Sequence, residues 1–367
     1  MAASPVTAAD VTLFAEPQNN PPAVAVQVGE FALTLRDVVA GDMTAVLALH
    51  NAVFGSEADA RWHAWKYGAA PNQGGGQAVG AWHGNDLIAY CGGLPRTLWQ
   101  HGNSMQGLQM GDVMVHPAWR GILTRQGPFF HVTQRFHHTR LGAGHSRPFQ
   151  LGFGFPNLRH LRLGVVLGLV RDGGRIESLH WSALKAPANA LPWLWRWQRL
   201  KPSDPRFDPT VNAAWQSMQS QAPHLLLGQR DAAYVRWRYV ERPMACSQRP
   251  DLIVRYHFFE LRRPWASSGA GVAVLDLSSA SAHWLDWIGP AALMPLAATA
   301  CRLEAGRAGS AGVMAWASPD VARQLADSGI DRREVCAGLG ISAASDKSLQ
   351  GTPELRWWLM GGDTDFL

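Results

Sequence analysis

Two periods run along the chain: an apolar/polar alternation that predicts strands and a three-and-four spacing that predicts helices. Residues 31–36 (FALTLR) alternate and predict a strand. Over 44–53, Val46, Leu47, Leu49 and His50 recur at helical spacing behind Asp42, a candidate cap, with His50 at the edge of the core-facing side. A helix over 58–67 follows. The loop PNQGGG at 71–76 reads as a connection, since no phosphate-loop lysine follows it. Runs at 77–82 and 87–91 flank His83-Gly84-Asn85-Asp86, a hairpin signature, and a further arm at 96–100 leads to a turn at His101-Gly102-Asn103. The run from Met110 to Val115 predicts a central strand that completes an antiparallel meander. A helix over 127–138, with Phe130, Thr133, Gln134 and His137 on one stripe, leads to a strand at 148–155 beside the central one. His137 and His138 diverge on a helix and read as its solvated end.

From about residue 173 the composition changes. The segment PWLWRWQRLK, 192–201, sets three tryptophans among basic residues and reads as a helix. Two helical readings stay open: an amphipathic helix on a membrane surface, and a helix docked on the second half with arginines covering the rings. A connecting loop over 201–212 precedes RDAAYVRWRYVERP, a helix with Tyr234, Trp237 and Arg238 on one face. Strands at 252–261 and 271–277, a helix at 290–303, a strand at 312–317 and a helix at 319–327 give a β-β-α-β-α order. The tail LRWWLMGGDTDFL reads as a final strand, with Asp363 and Asp365 as solvated terminal carboxylates and cation binding as the alternative.

At 367 residues the chain is long for one ordinary domain, and an apolar share of 47% with 17% charged residues describes a folded protein with a sizeable core. The expected division is a flexible tail over 1–30, which has no basic start or continuous apolar core and so is no signal peptide, a first domain over 31–175 and a second over 176–367. Thirty-three basic against 28 acidic residues give a net charge of +5. That excess suits a small anionic ligand, and no long basic block points to nucleic acid. The four cysteines are scattered without a C-x-x-C pair, so no metal or disulfide framework is expected and a cytoplasmic location is the default. No apolar stretch reaches the roughly 18 residues a membrane span needs.

Candidate chemistry gathers where the central strand ends, in VMVHPAWRGILTRQGPFF. A strand there delivers a basic, glycine-containing loop to a helix N-terminus. The first amides of a helix lack partners and carry partial positive charge, so the arrangement makes an anion site. Arg120 and Arg125 add formal charge, and Gly121 and Gly127 allow close approach of a ligand.

The string VMVHPAWRG resembles the V-x-P-x-x-R-G motif of the GNAT superfamily of acyl-CoA-dependent acyltransferases. A second match follows in GFPNLRHLRLGVVLGL, where Asn157, Leu167, Gly168 and Leu169 fit the family's N-x-x-A-x-x-x-Y-x-x-x-G-F pattern. The chain departs from the family in the loop and on the helix, where His160 stands at the alanine position. The two loop glycine positions fall on Leu123 and Arg125, a glycine stands at 127 instead, and Gly164 takes the place of the tyrosine that commonly protonates the leaving thiolate. The resemblance covers about 31–175 and implies a GNAT fold: α/β (α+β), a mixed, mostly antiparallel sheet flanked by helices. The second half resembles the C-terminal unit of two-domain bacterial GNAT and Fem-type transferases, which implies a duplicated fold. No second V-x-P-x-x-R-G occurs there, so that half is expected to bind no CoA.

In the family the strand amides, here Val113, Met114 and Val115, hold the pantetheine, and the loop of Arg120, Gly121, Ile122, Leu123, Thr124, Arg125, Gln126 and Gly127 wraps the phosphates. Asn157 either faces the cofactor or caps its helix. The candidate bases are Asp112 and His116, which alternation places together on the face opposite Val113 and Val115. Tyr90, Trp99 and Trp119 read as core residues, with lining of the acceptor pocket as the alternative. The implied activity is transfer of an acetyl or longer acyl group from acetyl-CoA or another acyl-CoA to a small amine, an amino sugar or amino acid. An aminoacyl-tRNA-dependent Fem-like transferase and a non-catalytic acyl-CoA sensor or scaffold are the rivals.

Overall fold

The computed structural model describes residues 21–55, 59–68, 75–121, 126–142, 148–185, 191–242, 256–266, 269–342 and 355–364. Strand β1 (Val24–Val28) turns at Gly29, φ 62°, and pairs antiparallel with β2 (Phe31–Asp37). The end of the segment read as a tail is therefore an edge strand. Helices α1 (Met43–Phe54) and α2 (Ala60–Tyr67) follow. Asp42 stands at the α1 N-cap, but its carboxylate accepts from Val39 N and pairs with Arg36 at 2.7 Å.

Strands β3 (Gln77–His83), β4 (Asp86–Gln100) and β5 (Asn103–Val115) form the meander. The two arms expected at 87–91 and 96–100 are one strand. Pro95 falls between the end of β3 pairing at Gly93 and the start of β9 pairing at Leu98, so its missing N–H breaks no ladder on that edge. Helix α3 (Pro128–Arg140) returns along the sheet to β6 (Leu151–Gly154), parallel to β5; α4 (Leu158–Val166) and β7 (Arg171–Ser182) complete the set. One core lies on the α3 side, around Val132, Phe136 and Leu108. Another lies under α1 and α2, around Val46, Leu49 and Tyr67.

Next come β8 (Arg196–Leu200), α5 (Phe207–Gln221), β9 (Leu226–Gly228) and α6 (Ala232–Val235), which runs on through a π-helical turn at Arg236–Val240. Then follow β10 (Tyr256–Arg262), β11 (Gly271–Asp276), β12 (Ser281–Ile288), α7 (Met294–Arg307), β13 (Gly312–Ala317), α8 (Pro319–Gln324), β14 (Arg332–Ser342) and β15 (Trp357–Trp358). The order β3-β4-β5-α3-β6-α4-β7 recurs as β10-β11-β12-α7-β13-α8-β14. The last strands are exchanged: β14 sits between β6 and β7, and β7 pairs with β13. The sheet therefore continues through residues 175 and 176, which lie inside β7.

The segment 192–201 is not a helix. After a turn it becomes β8, the edge strand, paired with β10; Trp197 stacks on Phe259 at 5.3 Å, and this packing overrides the helical reading. Strand β14 carries no clear period because Gly338 and Gly340 interrupt it. A Cβ on Gly338 would stand 2.5 Å from Leu161, so the glycine lets α4 approach the sheet. Asp363 is buried, not solvated, and Asp365 lies outside the described residues. Asp363 joins a polar network between the two sets of elements. The Arg230 guanidinium is fully buried and donates to Asp363, to Asp286 at 2.9 Å and to the Gly228 carbonyl, while Arg96 reaches Gln109 at 2.7 Å and Asp363 at 3.3 Å.

Candidate functional site

Strands β5 and β6 pair only from Gly107↔Leu151 to Gln109↔Phe153. Strand β6 ends at Gly154, whereas β5 runs on to Val115. The two strands part there, and among the described residues the β6-side edge of Met110 to Val115 has no strand against it. At the fork a Cβ on Gly154 would lie 3.2 Å from the Met110 carbonyl oxygen, which is how closely the backbones meet before they separate.

Past the fork, His116 caps a short 3-10 turn, Pro117–Trp119, its Nδ1 accepting from Ala118 N at 3.3 Å. Arg120 is exposed and its Nε donates to the Val115 carbonyl at 3.0 Å, which folds the guanidinium back over the end of β5. Helix α3 starts with Pro128 at its first position, so the amides of Phe129 and Phe130 are the unpaired donors of its first turn. Gly127 is its N-cap in an extended conformation, φ −79°, which any residue adopts. Gln126 and Gly127 close the loop, and Ile122, Leu123, Thr124 and Arg125 lie outside the described residues.

Strand β5 does not alternate evenly. Its pairing with β4 slips between Tyr90 and Gly92, and Asp112 sits in the bulge with φ 50°, the left-handed region. The extra residue puts Met110 and Val113 on the α3 side and turns Asp112 toward α2. There Lys66 Nζ and Tyr67 Oη both donate to Asp112 Oδ2 at 2.8 Å. Lys66 is 3% exposed and lies 4.8 Å from the Trp62 ring centre. Burial pushes the Asp112 pKa up, but the Lys66 charge and the two hydrogen bonds outweigh it, so the carboxyl is held below its ordinary value. Oδ1 has no hydrogen-bond partner among the described residues, and the side chain keeps 11% exposure. Asp112 and His116, read as two candidates side by side, thus hold separate sets of partners: one anchors the bulge and the other caps a turn.

Lys66 and Tyr67 escaped the sequence reading. Their signal was faint: a lysine four residues after Trp62 on an otherwise aromatic helix face. Of the aromatic candidates, Tyr90 alone lies at the bulge. It is fully buried, beside Tyr67 over Gly92, whereas Trp119 packs on Phe31 and His83, and Trp99 packs against the second-half core. His137 is not a solvated helix end. Its Nε2 lies 2.9 Å from Met110 Sδ, and burial, helped by His138, lowers its pKa to about 4, which keeps it neutral. Asn157 caps α4, its Oδ1 accepting from His160 N at 2.9 Å. Gly164 faces Val170 and offers no acid.

Residues 34–140 match the family model of an acetyltransferase (GNAT) domain. No curated protein matches the chain by sequence. Among solved structures, the chain is similar to a conserved protein of unknown function from Enterococcus faecalis V583, described as a probable N-acyltransferase: 12% identity, TM-score 0.57, 86% of this chain and 74% of that one. It is likewise similar to GCN5-related N-acetyltransferases from Kribbella flavida, at 14% identity and TM-score 0.54 over 84% and 70% of the chains, and from Anabaena variabilis ATCC 29413, at 10% and 0.53 over 85% and 73%. The second-half counterpart of the loop, between β12 and α7, contains no basic residue. The chain thus shares the fold of these GCN5-related N-acetyltransferases, and residues 34–140 are the part that matches the GNAT acetyltransferase domain model.

Proposed function

We propose that the chain is an N-acyltransferase that moves an acetyl or longer acyl group from acyl-CoA to the amine of a small acceptor, an amino sugar or amino acid. The observation that carries this reading is the fork itself: β5 parts from β6, bulges at an ionised carboxylate, and leads through Arg120 to the first turn of α3. The free edge at Val113, Met114 and Val115 offers backbone groups to the pantetheine amides and to the thioester oxygen. Arg120, Gly121, the loop through Gly127 and the amides of Phe129 and Phe130 receive the phosphates. Asn157, at the mouth of the fork, is the remaining contact for the pantetheine arm.

Asp112 supplies the proton acceptor. Lys66 and Tyr67 occupy Oδ2, and Oδ1 takes a proton from the attacking amine as the C–N bond forms and the C–S bond breaks. With Gly164 in place of the family tyrosine, water protonates the departing thiolate. His116 contributes by fixing the turn that aims Arg120.

The test is release of free thiol from acetyl-CoA and longer acyl-CoAs, measured across a panel of small amines. Amine-dependent release supports the reading, and release indifferent to every amine contradicts it. Arg120→Ala is expected to weaken CoA binding roughly tenfold, the loss of a charge-assisted hydrogen bond to phosphate, with the rate at saturation preserved. An unchanged affinity removes Arg120 from the phosphate site.

A further inference from the structure

All 17 tryptophans lie among the described residues, and Trp193 and Trp265 alone are exposed, at 75% and 63%. They share one place. Trp193 sits in the turn before β8 and Trp265 in the turn after β10, and the antiparallel register Arg196↔Arg262 brings those turns together. Arg263 lies between them, its Cζ 5.2 Å from the Trp195 ring centre and 5.8 Å from that of Trp265. Arg196 ties the first turn, donating to the carbonyls of Trp193 at 3.0 Å and Trp195 at 3.1 Å. Arg199 and Lys201 continue the exposed basic edge along β8.

Charge on this edge is uncompensated. Among the described residues none of Arg196, Arg199, Lys201, Arg262 and Arg263 has a carboxylate within ion-pair distance, whereas Arg206, Arg236, Arg307, Arg323 and Arg356 each have one. The nearby carboxylate Glu260 is buried and bound to Gln198 and Arg206. An exposed indole beside unpaired cations suits one chemistry in particular. The ring settles at the headgroup level of a bilayer, and each cation gains from an anionic surface. A nucleic acid would instead need open ring faces to stack on, and Arg263 already lies against two of them.

We infer that the β8 edge docks on an anionic lipid surface, with Trp193 and Trp265 entering the headgroup layer and Arg196, Arg199, Lys201 and Arg263 facing the acidic headgroups. Docking of this kind is independent of acyl transfer. It needs no spanning segment, and no described helix is long and apolar enough to cross a membrane.

The test is co-sedimentation of the full chain with vesicles of equal parts phosphatidylcholine and phosphatidylglycerol, against phosphatidylcholine alone. Binding is expected to the acidic vesicles only. It should fall roughly tenfold or more in Trp193→Ala with Trp265→Ala, and again in Arg196→Glu with Arg263→Glu, while thermal midpoints stay unchanged because these side chains are at the surface. Equal binding to neutral vesicles, binding to neither, or unaltered binding by both variants overturns the inference. So does binding of transfer RNA, at the same salt, that the same variants abolish.

Discussion

Asp112→Asn is expected to lose acyl transfer by roughly a hundredfold or more and to unfold about 3–5 kcal/mol more easily. Two separate causes produce the two losses. Activity falls because an amide cannot take the amine's proton. Stability falls because Lys66, 3% exposed, is left as a buried cation without its counter-charge. The native carboxyl is held below its ordinary pKa, so its contribution is fully present above the usual carboxylate range and is lost as pH falls through the native value. The natural chain should therefore lose this part of its stability only in acid, and the variant should lack it at neutral pH. Lys66→Met in the same chain separates the causes. With both charges gone, most of the stability should return while activity does not. Chemical denaturation and thiol-release assays on the single and double variants read both quantities. A double variant that regained activity would take Asp112 out of the chemistry.

Arg230→Met is the second large effect, expected at about 3–5 kcal/mol of stability with the fork intact. Arg230 is the common partner of Asp286 and Asp363, carboxylates from β12 and from the C-terminal 3-10 turn (Gly361–Asp363). Removing it leaves two like charges facing each other in a buried site. Burial and the neighbouring Asp363 already raise the Asp286 pKa against the pull of Arg230, so Asp286 readily takes up a proton in acid. The deficit should shrink as pH falls, because protonating one carboxyl removes the repulsion. Thermal melts at neutral and mildly acid pH check the sign. A deficit that grows in acid would show that the network is held by something other than these charges.

What the sequence made legible follows the range of the forces involved. The hairpin at Gly84, the central strand and helices α1 to α3 are specified by neighbouring residues, through alternation, caps and helical spacing, and all were readable. The end of the central strand and the start of α3, on either side of the basic loop, were readable for the same reason, since they are close in sequence. The bulge was not. Asp112 adopts φ 50° because Lys66 and Tyr67, 46 and 45 residues away, grip its carboxylate, and no local pattern carries that information. Strand β8 was misread because Trp193, Trp195 and Trp197 alternate among arginines that fit a helix equally well, and only pairing with β10 decides between them. Strand β14 was hidden by Gly338, whose reason is Leu161 on a distant helix. The exchange of β7 and β14 between the two sets is likewise a long-range choice of neighbours.

Binding of acyl-CoA at the fork between β5 and β6 is the claim on which the rest depends, and calorimetric titration of the full chain with acetyl-CoA, a long-chain acyl-CoA and free CoA tests it most directly. Saturable binding with a preference between the acyl forms, weakened by Arg120→Ala, is the predicted result. No heat with any of the three ligands would contradict the account.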